Sequence, residues 1–426
     1  MKVAVVGGGS TYTPELVEGL LARHEQMAVT EIALIDIDRH RLDVLGPLTR
    51  RMAEVDGRGV RISWGIDLDD GIRDSTFVVS QIRVGGQAAR DRDELLGREF
   101  GLIGQETVGV GGFAKALRTI PVALRIAESI RRVAPDAVLF NFTNPAGLIT
   151  EALHRHGGVH TVGLCNVPWN FKAEIGKAFG APAADVELDY VGLNHLSWVR
   201  RVTIRGVDQT GAVLAGLRAI TGEAMSSDDA PAWTKGSLDL VGALPNDYLL
   251  YYFETEAWVR HQAARPTRAS EVMDIERSLL DQYSDPLLDH KPAELEQRGG
   301  AYYSAAAAAL MADLWTDAGT VHVVNTANCG AIPNMADDVV VETAAVVRRS
   351  GVTPVPTDPL RPDVAALMGA VKEFELLTVQ AAVEGDDLAA RRALLCNPLG
   401  PPAHRVDEVW GRLRDVHAGW LGALDA

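Results

Sequence analysis

A chain of 426 residues is too long for one ordinary core and predicts two domains, or one with a large insertion. Its 47% apolar content is ample for burial, it has no apolar run of membrane length, and a net charge of −16 argues against any nucleic-acid partner. Three cysteines (Cys165, Cys329 and Cys396) make no disulfide framework and fit a reducing compartment; each starts as a plain buried thiol.

The N-terminus, MKVAVVGGGSTYTP, enters a strand-turn pattern at once and leaves no room for a secretory leader, so a cytoplasmic location is expected. The run Lys2 to Val6 reads as a strand, and Gly7, Gly8 and Gly9 separate it from a helix with Thr13 as N-cap and Pro14 at the first helical position. Glycines let a backbone approach a pyrophosphate closely, and a helix N-terminus offers free N–H groups to it. The fit to G-x-G-x-x-G is incomplete, because Tyr12 stands at the third glycine position. The next strand, from Glu31, ends in Asp36, an acid placed to bind a ribose diol and to repel a 2′-phosphate; NAD is therefore favoured over NADP.

Helical sequence follows from Arg39, a strand from Thr76 to Ile82, a helix from about Ala116 to Val133, and strands at Ala137 to Phe140 and Val159 to Leu164. This alternation predicts a Rossmann-like, doubly wound parallel sheet over residues 1–165, with ligands along its C-terminal edge. Cys165 then stands at a strand end, in GLCNVPW. From residue 166 to 426 the pattern becomes mixed α+β and helix-rich, as in lactate and malate dehydrogenases, with strands at Val199 to Ile204 and Val321 to Asn325. Ala305 to Ala309 lie in a helix-forming segment. After Arg361 the chain is mostly helical, and Leu367, Val371, Phe374, Leu377 and Ala381 form one apolar face, read as core or subunit interface.

Two more loops leave strand-like runs: FTNPAG, with Asn144, and YVGLNHLSW, with Asn194 and His195. A spacing of 30 residues does not by itself make Cys165 and His195 a metal site, and by chemistry alone the pair suggests zinc. PNDYLLYYF presents Tyr248, Tyr251 and Tyr252; a tyrosine serves as a base near neutral pH only beside a cation that lowers its pKa. Arginines in loops that leave strand ends, such as Arg83 and Arg90, suit phosphate or carboxylate.

Together VVGGGSTYTP, IRVGGQAAR, GQETVGVGGFAKALRTIP, NFTNPAG, GLCNVPW, GLNHLSW, PNDYLLYY and TRASEVMDIE resemble the NAD-dependent glycoside hydrolase family four, most of all its 6-phospho-β-glucosidases, in one order from residue 1 to Glu276. The resemblance implies a cycle in which NAD⁺ oxidises the sugar C3 hydroxyl, a base removes the acidified C2 proton and the aglycone leaves from C1. Water then adds and the hydride returns. It implies that Gly7, Gly8, Gly9, Ser10, Thr11 and Asp36 bind NAD and that Cys165 and His195 hold a divalent ion. In the family this is manganese, whose other ligands would be hard oxygens of substrate and water. Tyr248 matches the C2 base, Glu106 an acid that tunes it, and Arg90, Asn144, Asn166 and Arg268 substrate-binding positions, with Arg90 facing phosphate. Asn166 stands where the α-phosphoglucosidases carry an acidic Asp, which points to a β-linked substrate. Phosphorylated disaccharides or aryl glycosides are the expected partners, with a homodimer or homotetramer as the assembly. The alternatives are a 2-hydroxyacid dehydrogenase, which would leave Cys165, His195 and Tyr248 without a role, an unphosphorylated-glycoside member of the same family, and a non-catalytic NAD or sugar-phosphate sensor.

Overall fold

The computed structural model of the chain describes residues 1–221, 230–298 and 303–425. Its strands are β1 (Lys2–Val6), β2 (Glu31–Ile35), β3 (Arg61–Gly65), β4 (Phe77–Ser80), β5 (Val138–Asn141), β6 (Thr161–Gly163), β7 (Val186–Leu193), β8 (Leu196–Ile204), β9 (Val207–Asp208), β10 (Leu244–Pro245), β11 (Thr320–Ala327), β12 (Val340–Arg348) and β13 (Gly351–Pro354). They form one sheet in the order β10-β8-β7-β12-β11-β6-β5-β4-β1-β2-β3, with β13 beside β12 and β9 beside β8. From β3 to β6 every pairing is parallel, the Rossmann order. At β6 the sheet changes character: Gly163 pairs antiparallel with Asn325 of β11, and the strands beyond it are antiparallel.

Two-residue alternation explains why the parallel half carries helices on both sides. Ala4, Val6 and Val78 point into one apolar cluster with the helix Gly109–Val133, whereas Val3, Val5 and Val79 point into another with the helices Thr13–Ala22 and Tyr303–Thr316. The predicted helical face after Arg361 is core. Val371, Phe374 and Ala381 on the helix Pro362–Glu384 are buried, Leu367 and Leu377 half-buried, and the Phe113 and Phe374 rings lie 6.1 Å apart.

Several sequence expectations need correction. Tyr12, not Thr13, is the N-cap of the first helix, with Thr13 and Pro14 inside it; the Thr13 hydroxyl instead donates to the Gly8 carbonyl at 2.9 Å. The strands expected at Thr76 to Ile82 and Val159 to Leu164 are shorter, Phe77–Ser80 and Thr161–Gly163; at their C-terminal ends Gln81, Ile82 and Leu164 have left the ladder for the loops that build the site. Strands β3, β9, β10, β12 and β13 were not anticipated, and β7 only as the strand-like run before Asn194. Val340 to Thr343 of β12 are buried without a break, and a strand covered on both faces has no alternation to read. Cys329 is exposed rather than buried.

Candidate active site

The loops after β1, β2, β4, β5 and β6 open on one edge of the parallel sheet. After β1 the backbone folds tightly onto β2: Gly7 and Gly8 both donate to the Ile35 carbonyl, at 2.8 and 2.9 Å. A Cβ on Gly7, whose φ is +89°, would lie 2.8 Å from the Gln81 carbonyl oxygen, and one on Gly8 would lie 2.7 Å from Leu34 Cβ and 2.9 Å from its Cα. Only glycine fits either place. Asp36, one residue beyond β2, accepts from Gly9 N at 2.9 Å and from Asp38 N at 3.0 Å, so it braces the loop whose ligand it would also touch. Ser10 Oγ accepts from Tyr12 N, and no side chain caps the helix that follows, which leaves its positive end to an anion. Thr11 is fully buried and its hydroxyl turns to Glu276 at 3.3 Å.

Beyond β6, Cys165 is buried, and its sulfur is approached by the N–H groups of Asn166 and Val167 and by the Asn194 side chain. His195 lies at the tip of the β7–β8 hairpin, where Leu193 pairs with Leu196 and the two intervening residues make the turn, His195 at φ +65°. Its ring is buried and stacks flat on Tyr248, centroids 3.8 Å apart at 4°. Burial, with Lys115 adding to it, pushes the imidazole down to about 3, so it is neutral. Among the described residues its buried Nδ1 has no hydrogen-bond partner. A neutral, buried nitrogen with a free position, next in the chain to Asn194 whose side chain reaches the Cys165 sulfur, fits a metal ion. Among the described residues no third His, Cys, Asp or Glu completes a cluster, so further ligands would come from outside the chain.

Tyr248 sits on a short turn, Asp247–Leu249, whose entry residue Asn246 accepts from Tyr248 N at 3.0 Å. Burial pushes its phenol above the usual range, and Tyr251, Cys165 and Glu106 add to that. The opposing cation is Arg90, which acts electrostatically on Tyr248. Arg90 is mostly covered, its side chain 11% exposed, with Nε 2.7 Å from Glu94 and 3.2 Å from Glu106. Glu106 also receives Arg83 and Lys115. Burial alone would raise its pKa, but Arg83, Lys115 and Arg90 outweigh that and hold it well below the carboxylate range. Lys115 is pushed down to about 7 by burial and by Arg83.

Asn144 precedes a cis proline, Pro145, and accepts from Ala146 N at 3.3 Å. Asn166 opens the helix Val167–Phe179. Arg268, about half exposed, donates to Glu271 and to the Gln297 carbonyl, so its guanidinium turns to its own helix and the segment after it. The structure thus brings Cys165, His195, Tyr248, Glu106 and Arg90 into one electrostatic neighbourhood, and Gly7 to Asp36 into another.

The model of the family 4 glycosyl hydrolases matches residues 2–181, and the model of that family's C-terminal domain matches residues 190–400. The chain belongs to glycosyl hydrolase family 4. A probable 6-phospho-β-glucosidase of Bacillus subtilis is 38% identical over 99% of this chain and 97% of its own. The 6-phospho-β-glucosidase of Thermotoga maritima is 39% identical over 99% of both. The latter enzyme's structure with manganese, NAD⁺ and glucose-6-phosphate matches this family 4 glycosidase with a TM-score of 0.92 over 98% of each chain. Malate dehydrogenase of Plasmodium falciparum, at 14% identity and a TM-score of 0.57, shares the fold alone.

Several residues of this glycosidase site escaped the sequence reading. Lys115 lies within GGFAKALRT, yet nothing marks it as a partner of Glu106 before the helix Gly109–Val133 is folded against the loop. Glu342 of β12 is fully buried; its Oε1 accepts from Asn194 and Asn325, both at 3.0 Å, and its Oε2 from the Tyr190 hydroxyl at 2.8 Å. Burial raises it to about 7 against those three hydrogen bonds. It lies in VVETAAVVR, which reads as an ordinary apolar run.

Proposed function

We propose that this chain hydrolyses 6-phospho-β-glucosides, cellobiose 6-phosphate among them, to glucose 6-phosphate and the aglycone, with NAD and manganese as cofactors. The observation that carries this is identity of 38% and 39%, over 99% of the chain, to enzymes named for that reaction. Asn166, in place of an aspartate after the cysteine, supports the β-linkage.

In this reading Gly7, Gly8, Gly9, Ser10, Thr11 and the uncapped helix end hold the dinucleotide phosphates, and Asp36 takes the adenosine ribose. Cys165 and His195 would hold the divalent ion. When bound, the nicotinamide supplies reversible oxidation at C3 and the ion supplies Lewis acidity at the C2 and C3 oxygens. Tyr248 removes the C2 proton; that C–H pair forms the C1–C2 double bond as the C1–O bond breaks toward the aglycone. Glu106 sets the field at Tyr248, while Arg90, Asn144 and Asn166 bind the substrate, Arg90 its phosphate; Arg268 joins them only by turning from Glu271 and the Gln297 carbonyl that hold it here. Stacking of Tyr248 on His195 fixes the phenol in one plane.

Among the described residues no helix is long and apolar enough to cross a membrane. A cytoplasmic location follows from the substrate, since a phosphorylated sugar does not diffuse through lipid. A homodimer or homotetramer is the proposed assembly; Leu240 and Leu287, 84% and 85% exposed, are side chains that such a contact would cover.

The test is p-nitrophenol release from the β-glucoside 6-phosphate and from its unphosphorylated twin, with NAD⁺ and Mn²⁺ together or singly omitted. Release from the phosphorylated compound alone, lost without either cofactor, is expected. Release indifferent to both refutes the reading, and net NADH formation from a hydroxyacid would replace it.

A further inference from the structure

Four loops must agree to within a fraction of an ångström for the proposed reaction: those carrying Asn144, Cys165, His195 and Tyr248. Among the described residues, an anchor they share is Glu342, outside every recognised motif. It stands in the middle of the antiparallel half, opposite Asn325 on one neighbouring strand and Gly192 on the other.

Two arms leave its carboxylate. The first runs through Asn194, whose Nδ2 donates to Glu342 at 3.0 Å, whose Oδ1 accepts from Gly147 N at 3.4 Å, and whose side chain also reaches the Cys165 sulfur. Asn194 is the residue before His195, so this arm ties the cysteine, the histidine and the helix that follows Asn144. The second arm runs from Glu342 to the Tyr190 hydroxyl at 2.8 Å, to Ser197 Oγ at 2.6 Å, to Asn246 Nδ2 at 2.9 Å, and from Asn246 Oδ1 to Tyr248 N at 3.0 Å. Tyr190, Ser197 and Asn246 are buried. With the carboxylate as terminal acceptor each hydroxyl donates once, so the whole arm has a single proton order.

The charge is as informative as the hydrogen bonds. Glu342 accepts from three neutral donors and, among the described residues, forms no ion pair. Buried anions are ordinarily paired or placed near a metal ion. Glu342 has no ion pair of its own among the described residues, and through Asn194, the residue before His195, it stands one side chain from the Cys165 sulfur.

We propose that Glu342 is a positioning residue that sets the Cys165–His195 pair through Asn194 and sets Tyr248 through Tyr190, Ser197 and Asn246. This rests on the reading of Cys165 and His195 as metal ligands. Partners that orient metal ligands typically govern 10- to 100-fold in metal affinity. Glu342→Gln keeps the shape but removes the charge and replaces one of the two accepting oxygens with a donor, so one arm loses its acceptor. Mn²⁺ binding without substrate, followed by the electron paramagnetic resonance of the free ion, is expected to weaken by about 10- to 100-fold. NAD⁺ binding, which depends on the glycine loop, is expected to be unchanged. Equal Mn²⁺ affinity in variant and parent overturns the proposal, whereas a parent chain that binds no Mn²⁺ overturns the metal reading along with it. Should Glu342→Gln fail to fold, Tyr190→Phe cuts only the second arm. It should leave Mn²⁺ affinity intact and slow exchange of the substrate C2 proton with deuterated solvent about 10-fold, within the range that positioning of a base controls. Unchanged exchange overturns the proposal.

Discussion

Glu276→Gln should destabilise the apoprotein by several kcal/mol. Glu276 is 8% exposed and joins the glycine loop to the C-terminal half. Its carboxylate accepts from Thr11 at 3.3 Å, Gln87 at 3.0 Å, Arg41 at 3.3 Å and Arg298 at 3.0 Å, and Arg41 in turn donates to the Gly9 carbonyl at 2.7 Å. Burial would raise its pKa, but Arg298 and Arg41, with the Gln87 bond, bring it from 4.5 down to about 2. At about 1.36 kcal/mol per unit, that depression corresponds to about 3 kcal/mol of folding free energy. Because the folded pKa is depressed, this stability is fully present above pH 4.5 and is lost as pH falls from 4.5 through about 2. The variant also leaves two arginines near an uncharged amide, and breaking a buried pair on one side costs about 3–5 kcal/mol. Urea denaturation at pH 7 should therefore place the variant about 3–5 kcal/mol below the parent, with the gap narrowing once the pH falls below 4.5. A gap under about 1 kcal/mol at pH 7, the scale of a solvated surface pair, would refute the reasoning. So would a gap that widens in acid.

Tyr248→Phe should reduce turnover by about 10²- to 10⁴-fold, the usual worth of a general base, and abolish solvent exchange of the substrate C2 proton, with NAD⁺ and Mn²⁺ binding retained. Undiminished turnover would remove Tyr248 from the mechanism. Gly8→Ala places a Cβ against Leu34, at 2.9 Å from its Cα; a loss of about 1–3 kcal/mol in denaturation and a large loss of NAD⁺ affinity by titration are expected. Cys165→Ser should lower Mn²⁺ affinity by at least about 10-fold while leaving NAD⁺ binding unchanged, measured by spin resonance and calorimetry in turn.

The parallel half was legible because its signals are local. A strand, a glycine loop, a helix and an acid follow one another within Lys2 to Asp36, and each is read from neighbouring residues. The long-range half was not. Glu342 meets Asn194 across 148 residues, and Glu276 meets Thr11 across 265; no periodicity or spacing encodes such meetings. The cap at Thr13 was misassigned for a related reason: a Thr before Pro is a good N-cap locally, but its hydroxyl is taken by the Gly8 carbonyl and by Gln81 of the loop after β4.

Under the proposed mechanism, the arrangement explains how a tyrosine serves as the base. Tyr248 lies between two fields of opposite sign. On one side Tyr251, Cys165 and Glu106 raise its pKa, with Glu342 behind the thiol; on the other Arg90 favours its ionised form. Burial tips the balance toward a protonated, inert phenol. A divalent cation held by Cys165 and His195 would cancel the first field and leave the second to act, because a nearby cation favours the ionised form. On this account the base acquires its strength only when the ion is in place, and metal binding and proton abstraction are coupled through the same few side chains.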